Sequence, residues 1–447
     1  MALGRGKAGI SRRVLGRPMG SGRDGRPYFF LSYARTPRHD PADREDPDRW
    51  VHKLYKDLCD EILQMTDALP EEAGFIDREN RLGVEWSSGL ITALTKCRVF
   101  VPLYSRRYFE SSNCGREWFA FARRELDHRA RGRAATSAIV PALWTRIERD
   151  KIPEVAQSLQ YEHADLGERY CAEGFYGIMK LQNYRADYKR AVHRLAERIV
   201  AVADESFPFA EHGTATEMER TSFASLHSAF GPESARRTTY GQLEIVVLAH
   251  DKTTVPEGRL GEYYGETPRN WSPYLPDYPQ PVVDYALDLA SKCLDCEAMV
   301  GAIQDDPANQ AGNGYPVPPS LWLVDAWVGM SESHRRRLER LDQIEESWVS
   351  VLVPWNTQDP GLREAEHELR QKLHQHLGRK LASVPRRCQM AATGIPTLQE
   401  FGELMPEMTM TMLKRFRRDA PAHPPEGPVL ERPRLRRTDP ESSGDSR

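Results

Sequence analysis

The chain has 447 residues, of which 40% are hydrophobic and 28% are charged, with a formal net charge of −3 and seven cysteines. This length accommodates two or three domains, and the near-neutral charge gives no reason to expect nucleic acid or a strongly acidic partner. The cysteines are scattered, which predicts reduced thiols in a cytoplasmic protein, and no window has the ~20 apolar residues that a membrane-spanning helix needs.

The first structured element follows a leader over residues 1–25 that is rich in Gly and Arg and is predicted to be disordered. Residues 28–31 form an apolar run that ends in Ser32, Tyr33, Ala34 and Arg35 and then in a polar loop. This pattern predicts a buried strand of a parallel sheet whose carboxyl end opens into a site.

Strand and helix patterns then alternate up to residue 204. Further strands are predicted at 73–77, 99–104 and 137–144, with a short edge strand near 159–161. Amphipathic helices are predicted at 50–65, at 86–97, from about 113 and at 188–202, whereas residues 145–175 are otherwise predicted to be irregular. The alternation predicts a doubly wound, flavodoxin-like α/β domain over residues 26–204.

The order of short motifs within this domain resembles a TIR domain (Toll/interleukin-1 receptor/resistance type). The strand ending in Phe30-Leu31-Ser32-Tyr33 is similar to the first box of that family, and Phe75-Ile76-Asp77 followed by a loop is similar to its second strand. Ser111, Cys114 and Glu117 match the pattern Ser-x-Trp-Cys-x-x-Glu, although Asn113 stands where Trp is usual. Gly83 lies one place earlier than usual in the loop and lacks its Pro partner.

The resemblance implies a role for Glu117, because the Glu at this place contacts the ribose beside nicotinamide in NAD-cleaving members. A carboxylate there stabilises the positive charge that develops on the sugar carbon. The alternative is a helix-surface Glu near a helix N-terminus, as in family members that only assemble. Trp86 and Arg35 are the candidate NAD+ contacts, against the alternatives of a core-facing helix residue and a solvated loop Arg.

A second α/β domain is predicted over residues 240–417, after a linker at 205–239 and before a disordered tail at 418–447. It begins with a buried strand at 243–250, and further strands are predicted at 321–325 and 348–355, with helices from 281 and at 338–344 and 362–377. Because the strand–helix order repeats, the second domain is interpreted as TIR-like in architecture.

An aromatic loop follows the strand at 243–250 and is the second candidate site. It carries Tyr263, Tyr264, Trp271 and Tyr274, which are expected near Asp325 at the carboxyl edge of the second sheet. These residues suggest a binding loop, against the alternative of rings that fold over the sheet edge. Cys293 and Cys296 have metal or redox spacing but lack a second ligand pair, so no metal site is predicted.

The whole chain also resembles the actinobacterial TIR-like proteins encoded beside FxSxx-COOH ribosomal peptides (the FxsC type). This resemblance implies a cytoplasmic signalling or assembly protein that requires no cofactor and acts through self-association or through another protein or peptide. The alternative function is an NAD+ glycohydrolase that uses Glu117. The domain boundary itself predicts that limited proteolysis cuts first within the linker.

Overall fold

The computed structural model describes residues 25–38, 45–77, 88–132, 137–206, 228–230, 243–294, 296–301, 317–384 and 394–420. Within these residues the chain builds two parallel sheets of four strands, one in each half of the chain. The described residues include only the last residue of the predicted leader and only small parts of the predicted linker and tail.

The first sheet has the strand order β2-β1-β3-β4, with all pairs parallel. The strands are β1 (Phe29–Ser32), β2 (Phe75–Ile76), β3 (Val99–Tyr104) and β4 (Ala142–Leu143). Every residue of β1 and β3 is buried, as expected for apolar strands covered on both faces. Because β1 lies between β2 and β3, the crevice at the carboxyl ends of β1 and β3 is the topological switch point of this sheet.

Helices flank this sheet at the positions that the apolar periodicity sets. They are α1 (Arg49–Met65), α2 (Ser88–Lys96), α3 (Arg106–Glu110), α4 (Ser112–Ala130), α5 (Glu154–Gln157), α6 (Glu168–Lys180) and α7 (Arg185–Ser206). Helix α1 buries Val51, Leu54, Leu58 and Ile62, which recur at three- and four-residue steps, and packs against α7. Helix α4 is capped by Ser111, whose hydroxyl accepts the Cys114 N–H at 3.3 Å.

The region after β4 differs from the prediction. The expected edge strand at 159–161 is wrong, because these described residues form no strand, and α6 lies where irregular chain was expected. The Tyr170 hydroxyl of α6 accepts the Leu143 N–H at 2.7 Å, so the helix occupies the open edge of β4. Gly174, with φ of 68°, allows this approach, since a Cβ there would lie 2.6 Å from the Trp144 carbonyl oxygen.

The second sheet has the order β6-β5-β7-β8 and therefore repeats the topology of the first. Its strands are β5 (Leu243–Leu248), β6 (Ala298–Val300), β7 (Ser320–Val324) and β8 (Val349–Leu352). Its helices are α8 (Val282–Cys293), α9 (Glu332–Gln343), α10 (Pro360–Glu364), α11 (Glu366–Ser383) and α12 (Leu398–Asp419). The sequence did not predict β6, an edge strand that carries an exposed Met299, and helix α12 continues into the first residues of the predicted tail.

The two halves pack against each other through α4 and α8. The Trp118 indole donates to the Lys292 carbonyl at 3.4 Å, and the Tyr285 hydroxyl donates to Asp127 at 2.5 Å. Arg123 donates to the Gln399 carbonyl of α12 at 2.7 Å. Buried residues of both halves therefore belong to one continuous core. The boundaries predicted from composition stay a prediction for proteolysis to test.

No helix in the part of the chain that the structure describes is long and apolar enough to cross a membrane.

Candidate functional site

The switch point of the first sheet brings Glu117 and Ser32 together. Ser32 is the last residue of β1, and Glu117 lies on α4, the second helix after β3. The Ser32 hydroxyl donates to the Glu117 carboxyl at 2.5 Å, and both residues are buried. Cys114 and Glu117 are three residues apart and so share one face of α4. The motif Ser111–Cys114–Glu117 thus combines a helix cap with a buried carboxyl at the carboxyl edge of the sheet.

Tyr108 of α3 extends this pair into a chain of three side chains. Its hydroxyl lies 3.0 Å from the Ser32 hydroxyl and is completely buried. When Glu117 is ionised, the single proton of the Ser32 hydroxyl goes to Glu117, so Tyr108 is the donor to Ser32. The order of donation is therefore Tyr108 to Ser32 to Glu117. We name these three residues the Tyr108–Ser32–Glu117 chain.

Burial raises the pKa of Glu117 from 4.5 to about 8. The nearby Asp77 carboxylate raises this pKa further, whereas the Ser32 hydrogen bond and the Arg35 guanidinium lower it. The carboxyl is therefore mostly protonated at pH 7 in the ligand-free protein. A buried carboxyl with a strongly shifted pKa at a sheet switch point is the type of group that active sites use.

Arg35 and Asp77 lie at the ends of β1 and β2 and form an ion pair. The Arg35 guanidinium donates to the Asp77 carboxylate at 2.9 Å, and both side chains are about one-quarter to one-third exposed. The Tyr33 hydroxyl donates to the Asp77 carbonyl at 3.4 Å, so Asp77 orders the start of the following loop. Since Arg35 acts on the Glu117 pKa, the structure brings two of the predicted site residues to one edge.

Trp86 and Gly83, the other residues assigned to this site from the sequence, lie outside the described residues. Two members of the Tyr108–Ser32–Glu117 chain were missed by the sequence reasoning. Ser32 was assigned only to the end of the first strand, and Tyr108 was not singled out. A signal for Tyr108 was present, because Ser105 caps α3 through the Tyr108 N–H at 3.1 Å and fixes the side chain three residues later.

The switch point of the second sheet, between β5 and β7, is filled by a buried polar cluster. The Tyr264 hydroxyl donates to Asp325 at 2.8 Å, and Arg259 donates to the Tyr264 oxygen at 3.2 Å. Arg259 also donates to Asp359 at 2.5 Å, with the two side chains only 2% and 0% exposed. Each carboxylate also caps a turn or helix, Asp325 through Trp327 N–H and Asp359 through the first N–H groups of α10. These side chains therefore serve as hydrogen-bond and ion-pair partners for one another.

The aromatic loop of the second half folds inward. Tyr263, Tyr264, Trp271 and Tyr274 are all at most 4% exposed, and the Tyr274 hydroxyl donates to the Ile395 carbonyl at 3.1 Å. Tyr264 does reach Asp325, as the loop position predicts. The rings cover the sheet edge instead of facing solvent. A role of this loop in binding stays a prediction.

Removing the Tyr264 hydroxyl should destabilise the second half without unfolding it at room temperature. Tyr264→Phe leaves Arg259 and Asp325 each without one hydrogen-bond partner in a buried place. A buried polar group that loses its partner costs about 1–3 kcal/mol. We expect that loss in urea unfolding followed by tryptophan fluorescence. Tyr184→Phe, at a half-buried ring of the first half, is the control, and an equal loss in both variants would contradict the assignment.

Other features of the chain offer weaker sites. Cys293 is buried and Cys296 is partly buried, and no group of three or more potential metal ligands occurs among the residues that the structure describes. A cavity of about 380 Å³ opens beyond the end of β4, where Arg146, Arg149, Glu148 and Glu162 line it together with Tyr161. The lining charges cancel, so this cavity has no evident preference for an anion.

Comparison with known protein families finds a match in the first half of the chain. The family model described as "TIR domain" matches residues 29–175, which contain the whole Tyr108–Ser32–Glu117 chain. No curated protein and no solved structure matches the chain. The class that this fold and site define is therefore an α/β protein with helices around parallel sheets. Its first sheet lies within residues 29–175, the part that is similar to a TIR domain.

Proposed function

We propose that the TIR domain cleaves the N-glycosidic bond of NAD+ between nicotinamide and ribose, with Glu117 as the catalytic carboxylate. The observation that carries the proposal is the position of Glu117, a buried carboxyl at the switch point between β1 and β3. Arg35 at the same edge supplies a guanidinium that suits a phosphate or carboxylate oxygen of the ligand.

The proposed step is a hydrolysis that needs no further reactant. The bond between the ribose C1 and the pyridinium nitrogen breaks, and its electron pair leaves with nicotinamide, which becomes neutral. The ribose carbon gains oxocarbenium character, which the ionised Glu117 stabilises. Water adds its oxygen to that carbon and releases a proton, which gives ADP-ribose.

The cationic substrate matters for the charge of Glu117. In the ligand-free protein the pKa of Glu117 is about 8, so the carboxylate is the minor form at pH 7. A pyridinium cation close to the carboxyl favours the ionised form and lowers that pKa. Substrate binding and ionisation of Glu117 are thus coupled, and the substrate itself helps to generate the catalytic carboxylate.

This coupling predicts the pH dependence of the reaction. For kcat/KM, which reports the free enzyme, the rate should rise about tenfold per pH unit below the Glu117 pKa and level off near pH 8. The measurement is nicotinamide release between pH 6 and 9 at low NAD+. A profile that is flat or falls from pH 6 to 8 would exclude an ionised Glu117 as the catalytic form.

The experiment that tests the proposal is incubation of the purified full-length chain with NAD+ while nicotinamide release is followed. It should be run with dilute protein and with protein clustered deliberately on a bead or vesicle surface. Turnover in either state supports the glycohydrolase. The absence of nicotinamide in both states would reject it.

The second candidate is a signalling or assembly module that acts through self-association or another protein. The burial of Glu117 favours it, because the residue is only 7% exposed and its carboxyl already accepts the Ser32 hydroxyl. In this candidate the pair Ser32–Glu117 is structural. The cytoplasm as its location and an FxSxx-COOH peptide system as its context rest on the sequence resemblance. The TIR-like architecture of the second domain is inferred from its strand–helix order, and the strand order that the two sheets share supports it.

The two candidates differ in what clustering does. An assembly module changes its oligomeric state with concentration and releases no nicotinamide in any state. A glycohydrolase that needs assembly releases nicotinamide only when clustered. Sedimentation and nicotinamide release measured on the same samples therefore separate the two functions.

A further inference from the structure

A three-residue segment between the two halves docks directly against the site. Residues 228–230 pack on the corner where α3 meets α4. The Ala229 N–H donates to the Gly115 carbonyl at 3.0 Å, two residues before Glu117. Phe230 is only 1% exposed. We name residues 228–230 the docking tripeptide.

The ring of Phe230 completes an aromatic cluster below the Tyr108–Ser32–Glu117 chain. Its centroid lies 5.4 Å from that of Tyr108, 5.2 Å from Phe109 and 5.8 Å from Trp118. These contacts are tilted or edge-to-face, the arrangements that aromatic pairs prefer. Phe230 therefore holds both the tyrosine that donates to Ser32 and the residue next to Glu117.

Gly115 is what allows this close approach. A Cβ at position 115 would lie 2.7 Å from the Phe230 carbonyl oxygen and would also collide with the Ser228 side chain. A backbone oxygen cannot move away as a flexible side chain can, so a larger residue at 115 would expel the docking tripeptide. The glycine lies within α4, where it lowers helix stability by about 1 kcal/mol relative to alanine. The local helix preference is thus overridden by the docking.

We propose that Phe230 is a positioning residue for Glu117, acting through Tyr108 and Ser32. This residue lies outside the 29–175 match, so the segment between the two halves becomes a functional part of the TIR domain site. The catalytic consequence rests on the proposed function, whereas the effect on the Glu117 carboxyl does not. Phe230 keeps the tyrosine hydroxyl in place and keeps water away from the carboxyl.

The physical consequence of losing Phe230 follows from the packing. Truncation to alanine opens a cavity beside Tyr108, and the tyrosine gains freedom to leave Ser32. Water that enters reduces the desolvation of Glu117, which is the largest cause of its raised pKa. The other groups that act on the pKa of this carboxyl are Ser32 of β1 and Arg35 and Asp77 at the strand ends. Tyr108 of α3 and Cys114 of α4 also face it, and the Glu117 charge raises the pKa of both. None of these is removed by the substitution.

The test is the pKa of Glu117 in Phe230→Ala, measured on the full chain by NMR with glutamate labelled at the side-chain carboxyl carbon. The Glu117 signal is assigned by its loss in Glu117→Gln. We expect the pKa to fall from about 8 by at least one unit toward the ordinary value. Phe230→Leu should lower the Glu117 pKa by a smaller amount. This variant provides the test if Phe230→Ala does not fold.

Phe175→Ala is the matched control. Phe175 is a completely buried ring of the same half that packs on Tyr170 and Tyr188. It should destabilise the protein to a similar extent and leave the Glu117 pKa unchanged. An unchanged Glu117 pKa in the Phe230 variants, or an equal shift in Phe175→Ala, would overturn the inference.

Nicotinamide release separates this inference from the proposed function. If the wild type turns over NAD+, Phe230→Ala should lower kcat by up to ~10²-fold with little change in KM. The reason is that a misplaced catalytic group slows the chemical step. Its pH profile should also move to lower pH. If the wild type releases no nicotinamide but the pKa falls as expected, Phe230 positions Glu117 and the proposed function is wrong.

Discussion

Glu117→Gln is expected to lower nicotinamide release by ~10²–10³-fold in kcat, the effect typical of losing one preorganised electrostatic contact to the transition state. The amide oxygen can still accept the Ser32 hydroxyl proton, so the Tyr108–Ser32–Glu117 chain keeps its geometry and loses only the negative charge. Substrate binding should weaken as well, because the ionised carboxyl attracts the pyridinium, but the larger loss falls on kcat, since the carboxylate is needed most where positive charge develops on the ribose. The assay is nicotinamide release by clustered protein at pH 8.

The matched control for this substitution is Glu125→Gln. Glu125 is equally buried on the same helix, and its carboxyl accepts the Ala138 N–H and the Ser137 hydroxyl. The substitution Glu125→Gln therefore removes a buried carboxyl from the same helix at a position away from the end of β1. We expect it to retain turnover. Activity that survives Glu117→Gln would remove Glu117 from the mechanism even if the domain cleaves NAD+.

The sequence predicts the long buried strands well, because continuous apolar runs such as those of β1, β3 and β5 have few alternative structures. It also indicates Glu117, since the spacing from Ser111 is local to one helix. The short strand β6 was missed, because three residues with an exposed Met299 carry too little pattern.

Contacts between distant residues are what the sequence could not predict. The members of the Tyr108–Ser32–Glu117 chain are 76 and 85 residues apart, and no local pattern links them. Phe230 falls in a segment that its composition predicts to be a linker, yet its ring is buried. The same holds for Arg259 and Asp359, which pair across 100 residues and were not assigned to any site.

The two sheets share a strand order but differ at their switch points. In the second sheet the buried Asp325 accepts the Tyr264 hydroxyl, Tyr264 accepts from Arg259, and Arg259 is itself paired with Asp359. In the first sheet Glu117 receives a hydrogen bond from the neutral Ser32, and Arg35 is paired with Asp77. Burial raises the pKa of both acids, but the guanidinium that opposes this rise is buried at Asp325 (Arg259) and partly exposed at Glu117 (Arg35). This difference makes the first switch point the better candidate for proton-dependent chemistry.

The raised pKa of Glu117 also has a consequence for stability. The folded state holds a proton on Glu117 up to pH of about 8, whereas the unfolded chain releases it near pH 4.5. Between these values the folded state binds more protons, so the contribution of Glu117 to the free energy of unfolding falls as the pH rises. The glutamine in Glu117→Gln has no proton to lose, so the free energy of unfolding of this variant should not contain this pH-dependent decrease.

Glu117→Gln is therefore expected to be more stable than the wild type at pH 9, by up to about 5 kcal/mol, and to lose that advantage at pH 4.5. The measurement is urea unfolding of both proteins at pH 4.5, 7 and 9. Other buried carboxyls such as Glu125 are present in both proteins, so their effects cancel in the difference. Glu110→Gln, at an exposed side chain of α3, should stay within about 0.5 kcal/mol of the wild type throughout.

A variant that is more stable but inactive is expected when a residue lowers the stability of the fold and is needed for the reaction. The stability gain at high pH follows from the raised pKa of Glu117 whether or not the residue is catalytic, so the loss of turnover in the same variant is what assigns it a chemical role. A stability difference that does not grow between pH 4.5 and 9 would show that the carboxyl ionises at its ordinary pKa. In that case a buried, protonated Glu117 would no longer explain the expected rise of kcat/KM between pH 6 and 8.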